Sequence, residues 1–294
     1  MAGPDLVTIA DRGFSARVNP RGAELWSLTD GQAREYMTDA DPAFWTGHAP
    51  LLFPVVGALN GGTYRLGERE YRLEKHGFAR RSMFRVEALG PDRARLHLRD
   101  SQQTMAVYPF AFEFEAEFVL AGPTLAMTVA VRNTGHEAMP FSFGFHPAFA
   151  WPLPGGGPKA SHSVIFAQDE PEPIRRIDPA TVTLLPEPAL TPVIGQVLRP
   201  DASLFEKDAL IWDRLNSRAL TFAGTGASVE LFFPDCPNLG IWQKPGAPFL
   251  AIEPWHGFND PEGFTGDFRD KPGVIELEPG AERSFRMDVT VRPG

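Results

Sequence analysis

The chain has 294 residues, 43% of them hydrophobic, and carries a formal net charge of −9 at pH 7. Nucleic acids and anionic membranes are bound by clustered Lys and Arg, so an acidic chain without such clusters is not expected to bind either. The expected partner is a small molecule that is not strongly cationic, and the expected assembly is a monomer or a homodimer.

Cysteine use and the N-terminal segment bear on the compartment. The single cysteine, Cys236, cannot form an internal disulfide, which is typical of a reducing compartment. The N-terminal segment carries Asp5, Asp11 and Arg12 and has no apolar core of signal-peptide length. No window approaches the ~18 apolar residues of a membrane span. A cytoplasmic location is therefore expected.

Strand patterns begin with the first elements and run through the chain. "LVTIA" and "FSARV" flank the turn-forming "DRG", and "AELWSL" follows a glycine, which predicts an opening meander. Period-two alternation then recurs in "RLHLRD", "FEFEAEFVL", "TLAMTVAVRN", "MPFSFGF", "SVELFF" and "RSFRMDVTVR". In "FEFEAEFVL" this alternation predicts an apolar row on one face and a solvated row of glutamates on the other.

Proline and glycine limit the length of helices. The 29 prolines and 28 glycines leave room for short helical turns only. No composition shift marks a domain boundary, and "WPLPGGGPKASHS" is interpreted as a surface loop because strand patterns resume on both sides. We predict an all-β fold in a single domain, residues 1–294.

Three segments depart from the ordinary strand pattern. They are "KHGFARRS" at 75–82, "FGFHPAFAWP" at 143–152 and "FLAIEPWHGFND" at 249–260. Each places one titratable group, His76, His146 or Glu253, beside Gly or Pro and among aromatic residues. These three residues are the candidates for chemistry.

Each candidate allows a chemical and a structural interpretation. Glu253 follows an apolar run, where an ionised carboxylate costs several kcal/mol unless it is paired or its pKa is raised. A raised pKa suits a general base, and a structural glutamate is the alternative; Pro254 is expected to end the strand. His146 precedes Pro147, which favours an extended backbone, and can donate a proton near neutral pH. For His146 and His76 the alternative is a buried, hydrogen-bonded ring.

The sequence has no motif for metal binding, for phosphate binding or for serine-hydrolase chemistry. The histidines show no His-x-His or His-Glu-x-x-His spacing, no glycine-rich stretch matches a phosphate loop, and there is no Gly-x-Ser-x-Gly elbow. Neither a metal nor a cofactor is expected.

Four motifs occur in a characteristic order: "DPAFWTGHAPLLFPVVG", "HGFARRSMF", "FGFHPAFAWPLP" and "APFLAIEPWHGFND". With them the chain resembles the aldose 1-epimerase (galactose mutarotase) superfamily, and within it a compact bacterial branch. The resemblance implies a large antiparallel β-sandwich with a sugar cleft on its concave face, and a reaction that needs no cofactor.

The resemblance also implies roles for three residues. In such epimerases a glutamate near the C-terminus takes the proton from the anomeric hydroxyl, which carries over to Glu253. The histidine of the Gly-x-His-Pro segment protonates the ring oxygen, and here it is His146. The histidine of the His-Gly motif hydrogen-bonds the sugar near that oxygen, and here it is His76.

The residues that contact the substrate are assigned less directly from the resemblance. Asp208 in "EKDALIW" matches an acidic residue that contacts distal hydroxyls. An arginine that many members carry early in the chain is absent, so Arg80 is assigned as the alternative donor. Trp255 and Trp151, beside the motifs, are interpreted as sugar-stacking platforms, whereas Trp45 is interpreted as a core residue.

These assignments predict an aldose 1-epimerase acting on a free aldohexose. A hexose-6-phosphate mutarotase is less favoured, because Arg80 and Arg81 would point apart on an extended backbone. A sugar-binding or sensor protein on the same scaffold is another alternative. The last alternative is a cupin-like metal site made of His76, His146 and Glu253. The sequence lacks the closely spaced pair of histidines that cupins usually have.

Overall fold

The computed structural model describes residues 5–294, so the first four residues of the predicted domain lie outside the described range. Strands account for most of its regular structure. In chain order they are β1 (Val7–Asp11), β2 (Phe14–Asn19), β3 (Glu24–Thr29), β4 (Leu51–Leu52), β5 (Thr63–Leu66), β6 (Arg69–Arg72), β7 (Arg85–Gly90), β8 (Arg93–Arg99), β9 (Phe112–Ala121), β10 (Thr124–Asn133), β11 (Met139–Phe141), β12 (Phe143–Phe145), β13 (Ala148–Ala150), β14 (Ser163–Phe166), β15 (Val197–Leu198), β16 (Leu210–Trp212), β17 (Ala219–Ala223), β18 (Ser228–Phe232), β19 (Asn238–Trp242), β20 (Phe249–His256), β21 (Ile275–Leu277) and β22 (Glu282–Arg292).

Two large antiparallel sheets form the body of the fold. One has nine strands in the order β15-β14-β17-β18-β22-β10-β9-β8-β7, and the other has six, in the order β16-β19-β20-β12-β4 with β13 also paired to β20. Smaller pairings join β1, β2 and β3, β11 with β21, and β5 with β6. The predicted all-β class and the antiparallel β-sandwich are confirmed.

The two large sheets enclose a common apolar core rich in phenylalanine. Phe143 on β12 stacks on Phe285 of β22 with ring centroids 4.6 Å apart. Phe53, which follows β4, contacts Phe112 and Phe114 of β9 at centroid distances of 5.1 and 5.2 Å. Each such pair stabilises the fold by about 0.5–1.5 kcal/mol beyond the burial of its area.

Strand β9 shows how the alternation sorts its side chains. Phe112 and Phe114 are buried in the core, whereas Glu115 and Glu117 are half-buried on the opposite face. There they lie 3.2 and 3.1 Å from the guanidinium of Arg95 on β8. The predicted apolar row and the opposite row of glutamates are confirmed.

Helices are short, as predicted. The α-helix α1 (Gln102–Val107) begins after Ser101, whose hydroxyl accepts the amide of Thr104 while the Thr104 hydroxyl accepts the amide of Ser101, a capping box. Single 3₁₀ turns cover Asn60–Gly62, Ala79–Arg81, Lys159–Ser161, Ala202–Phe205 and Phe268–Asp270. From residue 5 onward no helix has the length and apolar character needed to cross a membrane.

Strand β20, which carries Glu253, has an interrupted neighbour. It pairs with β13 up to Ala251 and with β12 from Trp255 onward. The chain leaves the sheet between β12 and β13, at His146, so this histidine lies beside Glu253. Pro254 lies at the same break inside a strand that continues beyond it, so the prediction that it ends the strand is wrong. A residue without an amide hydrogen is tolerated where the ladder is interrupted.

Candidate active site

A cavity of about 220 Å³ opens at the six-stranded sheet, where β20 and the 73–81 segment meet. It is smaller than the roughly 300–1,000 Å³ of pockets for drug-sized ligands, and it suits a single monosaccharide. The structure places six of the seven predicted site residues in its wall. The residues that line it are Trp45, Pro50, Lys75, His76, Arg80, His146, Ile177, Asp208, Ala209, Trp242, Glu253, Trp255 and Asn259.

The floor of the cavity holds a direct contact between an acid and a base. Nε2 of His146 lies 3.0 Å from Oε2 of Glu253, and the two residues are 7% and 2% exposed. The two groups are thus in direct contact, and the pair is largely shielded from bulk water.

Burial sets the protonation of this pair. It raises the pKa of Glu253 well above the usual value of a carboxyl group, against the attraction of Lys75. It also lowers the pKa of His146 to about 3, with further lowering by the charges of Lys75 and Arg80. Because burial favours the uncharged form of each group, it favours the state in which the pair as a unit holds one proton and no net charge.

His76 is held as a neutral donor. Its Nδ1 accepts the amide of Gly57 at 3.1 Å, so the ring proton lies on Nε2. Burial lowers the pKa of His76 well below that of a free histidine. A side chain at Gly57 would place Cβ 2.1 Å from Oδ1 of Asn259, at a φ of +73°, so glycine is required there. The His76 ring meets that of His146 edge to face at 5.6 Å.

Charged groups of both signs line the rest of the wall. Arg80 is half-buried, and its Nε has no hydrogen-bond partner in the described part of the chain. Asp208 is also half-buried, at a left-handed φ of 64°, and its Oδ1 accepts the amide of Ala209 at 2.7 Å. Lys75, absent from the sequence prediction, is exposed on this wall. The wall thus offers two cations and one carboxylate to the polar groups of a ligand.

Trp255 forms an apolar part of the wall. Its indole lies between two glycines on the neighbouring strands, Gly144 of β12 and Gly240 of β19. A Cβ at either glycine would lie 2.4 or 2.5 Å from the ring. The two glycines therefore make the space in which this ring packs.

Trp151 does not reach the cavity, and its assignment as a substrate contact requires correction. It is 3% exposed and belongs to the main core. Its Nε1–H donates to the carbonyl of Lys159 at 3.1 Å, and Nζ of Lys159 lies 5.0 Å from the centre of the ring. Because Trp151 follows β13 rather than the break before it, its side chain packs away from His146.

Arg81 also lies outside the cavity wall, for a reason different from the predicted one. The Ala79–Arg81 segment is a 3₁₀ turn and not extended backbone. Arg81 pairs with Glu74 and lines a separate surface groove of about 790 Å³. Arg80 therefore lines the cavity without Arg81 beside it.

Two tryptophans in the wall were not predicted as site residues. Trp45 stacks on His146 with ring centroids 4.9 Å apart and planes 23° apart, and Trp242 meets both rings edge on. The signal for Trp45 was its position within the "DPAFWTGH" motif, whereas Trp242 lies in an ordinary strand pattern. Within residues 5–294 no three His, Cys, Asp or Glu side chains are grouped to hold a metal ion.

The fold and the cavity together define a β-sandwich protein with a buried acid–base pair in a cavity of monosaccharide size. The chain belongs to the aldose 1-epimerase family, whose model matches residues 5–290. The predicted family is thereby confirmed.

Relatives of known sequence or structure span nearly the whole chain. Protein LacX (plasmid) of Lactococcus lactis subsp. lactis is 32% identical over 281 residues, which covers 92% of this chain and 94% of that protein. The crystal structure of a galactose mutarotase-like protein from Lactobacillus casei ATCC 334 superposes with a TM-score of 0.90 at 30% identity, covering 98% of this chain and 100% of the other. A galactose mutarotase related enzyme from Lactobacillus acidophilus gives a TM-score of 0.88, again at 30% identity, covering 98% and 97%.

Proposed function

We propose that this protein is an aldose 1-epimerase that interconverts the α and β anomers of a free aldohexose. The observation that carries the proposal is the 3.0 Å contact between His146 and Glu253 inside a cavity of monosaccharide size. The anomeric oxygen O1 and the ring oxygen O5 are bonded to the same carbon. A base for one and an acid for the other must therefore be neighbours, as these two groups are.

The reaction requires one proton on the pair. With that proton on His146, the carboxylate of Glu253 removes the hydrogen from O1, the O1–H electrons form the C1=O1 double bond, and the C1–O5 bond breaks as His146 protonates O5. After rotation about C1–C2 the steps run in reverse: His146 recovers its proton from O5, O5 attacks the other face of C1, and Glu253 returns a proton to O1. Each positioned transfer accelerates the reaction by typically 10²- to 10⁴-fold.

The remaining residues of the wall orient the sugar. Nε2–H of His76 donates to the sugar near the ring oxygen, since this neutral ring has its other nitrogen occupied by Gly57. Arg80 and Asp208 take the distal hydroxyls, and the indole of Trp255 covers an apolar face of the ring. No group other than these side chains is needed for the proton transfers.

A hexose 6-phosphate is the second candidate substrate. Its support is that Lys75 and Arg80 both line the cavity, and two cations suit a phosphate. Asp208 on the same wall opposes this, because its carboxylate repels an anionic group. The free aldohexose is therefore the first choice, and the substrate panel below separates the two.

Polarimetry of freshly dissolved α-glucose and α-galactose tests the proposal. The wild-type protein should accelerate equilibration, and Glu253→Gln, which keeps the shape of the side chain, should lower the rate about 10²- to 10⁴-fold. A matched panel of aldose 6-phosphates, followed at the anomeric proton by NMR, decides the substrate class. No acceleration with either panel would exclude the enzyme. Sugar binding by calorimetry without turnover would indicate the sensor protein instead.

A further inference from the structure

The indole of Trp45 lies against one face of the His146 imidazole. The ring centroids are 4.9 Å apart and the planes 23° apart, so the contact is a stack. Trp242 lies edge on to both rings, at 5.7 Å from Trp45 and 6.2 Å from His146. His146 therefore has one aromatic ring stacked on its face and a second ring edge on to it.

The position of Trp45 is set by the protein itself. The indole packs against a small apolar cluster outside the main core that includes Phe249, and the two rings lie 5.7 Å apart. The amide of Trp45 donates to the carbonyl of Asp41 at 3.0 Å. A Cβ at Gly47 would lie 2.4 Å from the indole of Trp45. The backbone at position 47 can therefore approach this ring closely only because the residue is glycine.

The two histidines of the cavity are oriented in different ways. In His76, Nδ1 accepts a backbone amide, which fixes the ring and its tautomer. In His146, Nδ1 is buried and has no hydrogen-bond partner from another residue among residues 5–294, and the backbone hydrogen bond of the ring is with its own residue. The usual device for orienting a functional imidazole, a hydrogen bond from another residue to the second nitrogen, is missing there. The stack on Trp45 is therefore the contact that fixes the plane of the His146 ring.

We propose that Trp45 is a positioning residue that holds the His146 imidazole with Nε2 beside Glu253 and stabilises the imidazolium form on the face of its indole. A cation over an indole is attracted by the ring's electron density, so the stack favours the protonated ring. The charged and titratable groups that act on or contact His146 are Glu253, His76, Lys75 and Arg80. The inference rests on the proposed function, because it assigns Trp45 a part in the same proton transfer.

A sugar-stacking role for Trp45 is the competing interpretation. One face of the indole is already covered by His146, whereas Trp242 and Trp255 also line the cavity as aromatic surfaces for a sugar. A positioning residue should affect kcat, whereas a sugar platform should affect KM. The two roles are therefore separable by kinetics.

The experiment compares Trp45→Leu with Trp45→Phe, which keeps an aromatic face. Trp26→Leu is a matched control, because Trp26 stacks on His48 at 3.9 Å and neither residue lines the cavity. We expect Trp45→Leu to lower kcat about tenfold with KM within about twofold, Trp45→Phe to keep most of the activity, and Trp26→Leu to match wild type. Thermal unfolding identifies a variant that fails to fold; should Trp45→Leu fail, Trp45→Met, which also lacks an aromatic face, takes its place with the same expected result.

NMR of the imidazole nitrogens gives a readout that does not depend on activity. In sugar-free protein, Trp45→Leu should shift the ¹⁵N signals of His146 and leave those of His76 near their wild-type positions, while Trp26→Leu should shift only His48. Unchanged His146 signals, or a raised KM at unchanged kcat, would overturn the positioning role. If the wild-type protein lacks mutarotase activity, the proposed function fails, and the His146 signals still decide whether Trp45 orients the ring.

Discussion

His146 and Glu253 meet because the strand beside β20 is broken. The chain leaves the sheet between β12 and β13, and Nε2 of His146 comes to lie 3.0 Å from Oε2 of Glu253. Glu253 itself is held in the middle of β20, between β19 and the broken strand. A rigid strand thus supplies the carboxyl group, and the interruption of its neighbour supplies the imidazole.

The first prediction concerns the dependence of activity on pH. The pair loses its single-proton state when His146 is protonated, near its lowered pKa of about 3, or when Glu253 ionises, at its raised pKa. We therefore expect kcat/KM to rise from about pH 3 to a plateau and to fall only as Glu253 ionises, without the step that an ordinary histidine gives near pH 6.5. The measurement is the initial mutarotation rate after subtraction of the spontaneous rate in matched buffer. An inflection near pH 6.5 would contradict the assignment of His146.

The second prediction concerns stability. Below pH ~4.5 Glu253 is protonated in both the folded and the unfolded chain and has no effect. Above it the unfolded chain releases the proton while the folded protein retains it, so the wild type loses stability as pH rises toward the raised pKa of the folded state. Glu253→Gln should therefore raise the free energy of unfolding at pH 7.5 by about 1 kcal/mol or more.

Urea unfolding at two pH values checks this stability effect. The gain from Glu253→Gln should disappear at pH 4, where the carboxyl of the wild type is protonated in both states. Glu187→Gln is the matched control, because this glutamate is exposed and is not among the residues that line the cavity. An equal gain at both pH values would show that burial of the carboxyl is not the cause.

Strands and motif segments could be predicted from local sequence, because their signals are local. The alternation in β9 follows from period two alone, and the burial of Glu253 follows from the apolar run before it. Pro254, Trp151 and Trp45 could not be placed in this way. Their surroundings depend on the break between β12 and β13, which brings together parts of the chain that are far apart in sequence.

The third prediction concerns the role of His76. Its ring is a neutral donor whose proton lies on Nε2, so a side-chain amide can replace it. His76→Gln should lower kcat/KM by about tenfold or less and leave the shape of the pH profile unchanged, whereas His76→Ala, which has no donor, should lose about tenfold more. Mutarotation rates over a range of pH check both variants. A new pH-dependent step in His76→Gln would show that His76 transfers a proton in the reaction.

The fourth prediction concerns the space around Trp255. A Cβ at Gly240 would lie 2.5 Å from the Trp255 ring, and its φ is not in the left-handed region, so the indole alone opposes a side chain. Gly240→Ala should reduce the free energy of unfolding by about 1–3 kcal/mol. Combined with Trp255→Leu, which removes the ring, the same substitution should cost less, with a coupling of about 0.5–3 kcal/mol in a double-mutant cycle. Gly31→Ala is the control, since its Cβ would meet its nearest neighbour at an ordinary 3.8 Å. Additive losses in the double variant would show that strain elsewhere in β19, and not the indole, excludes a side chain at position 240.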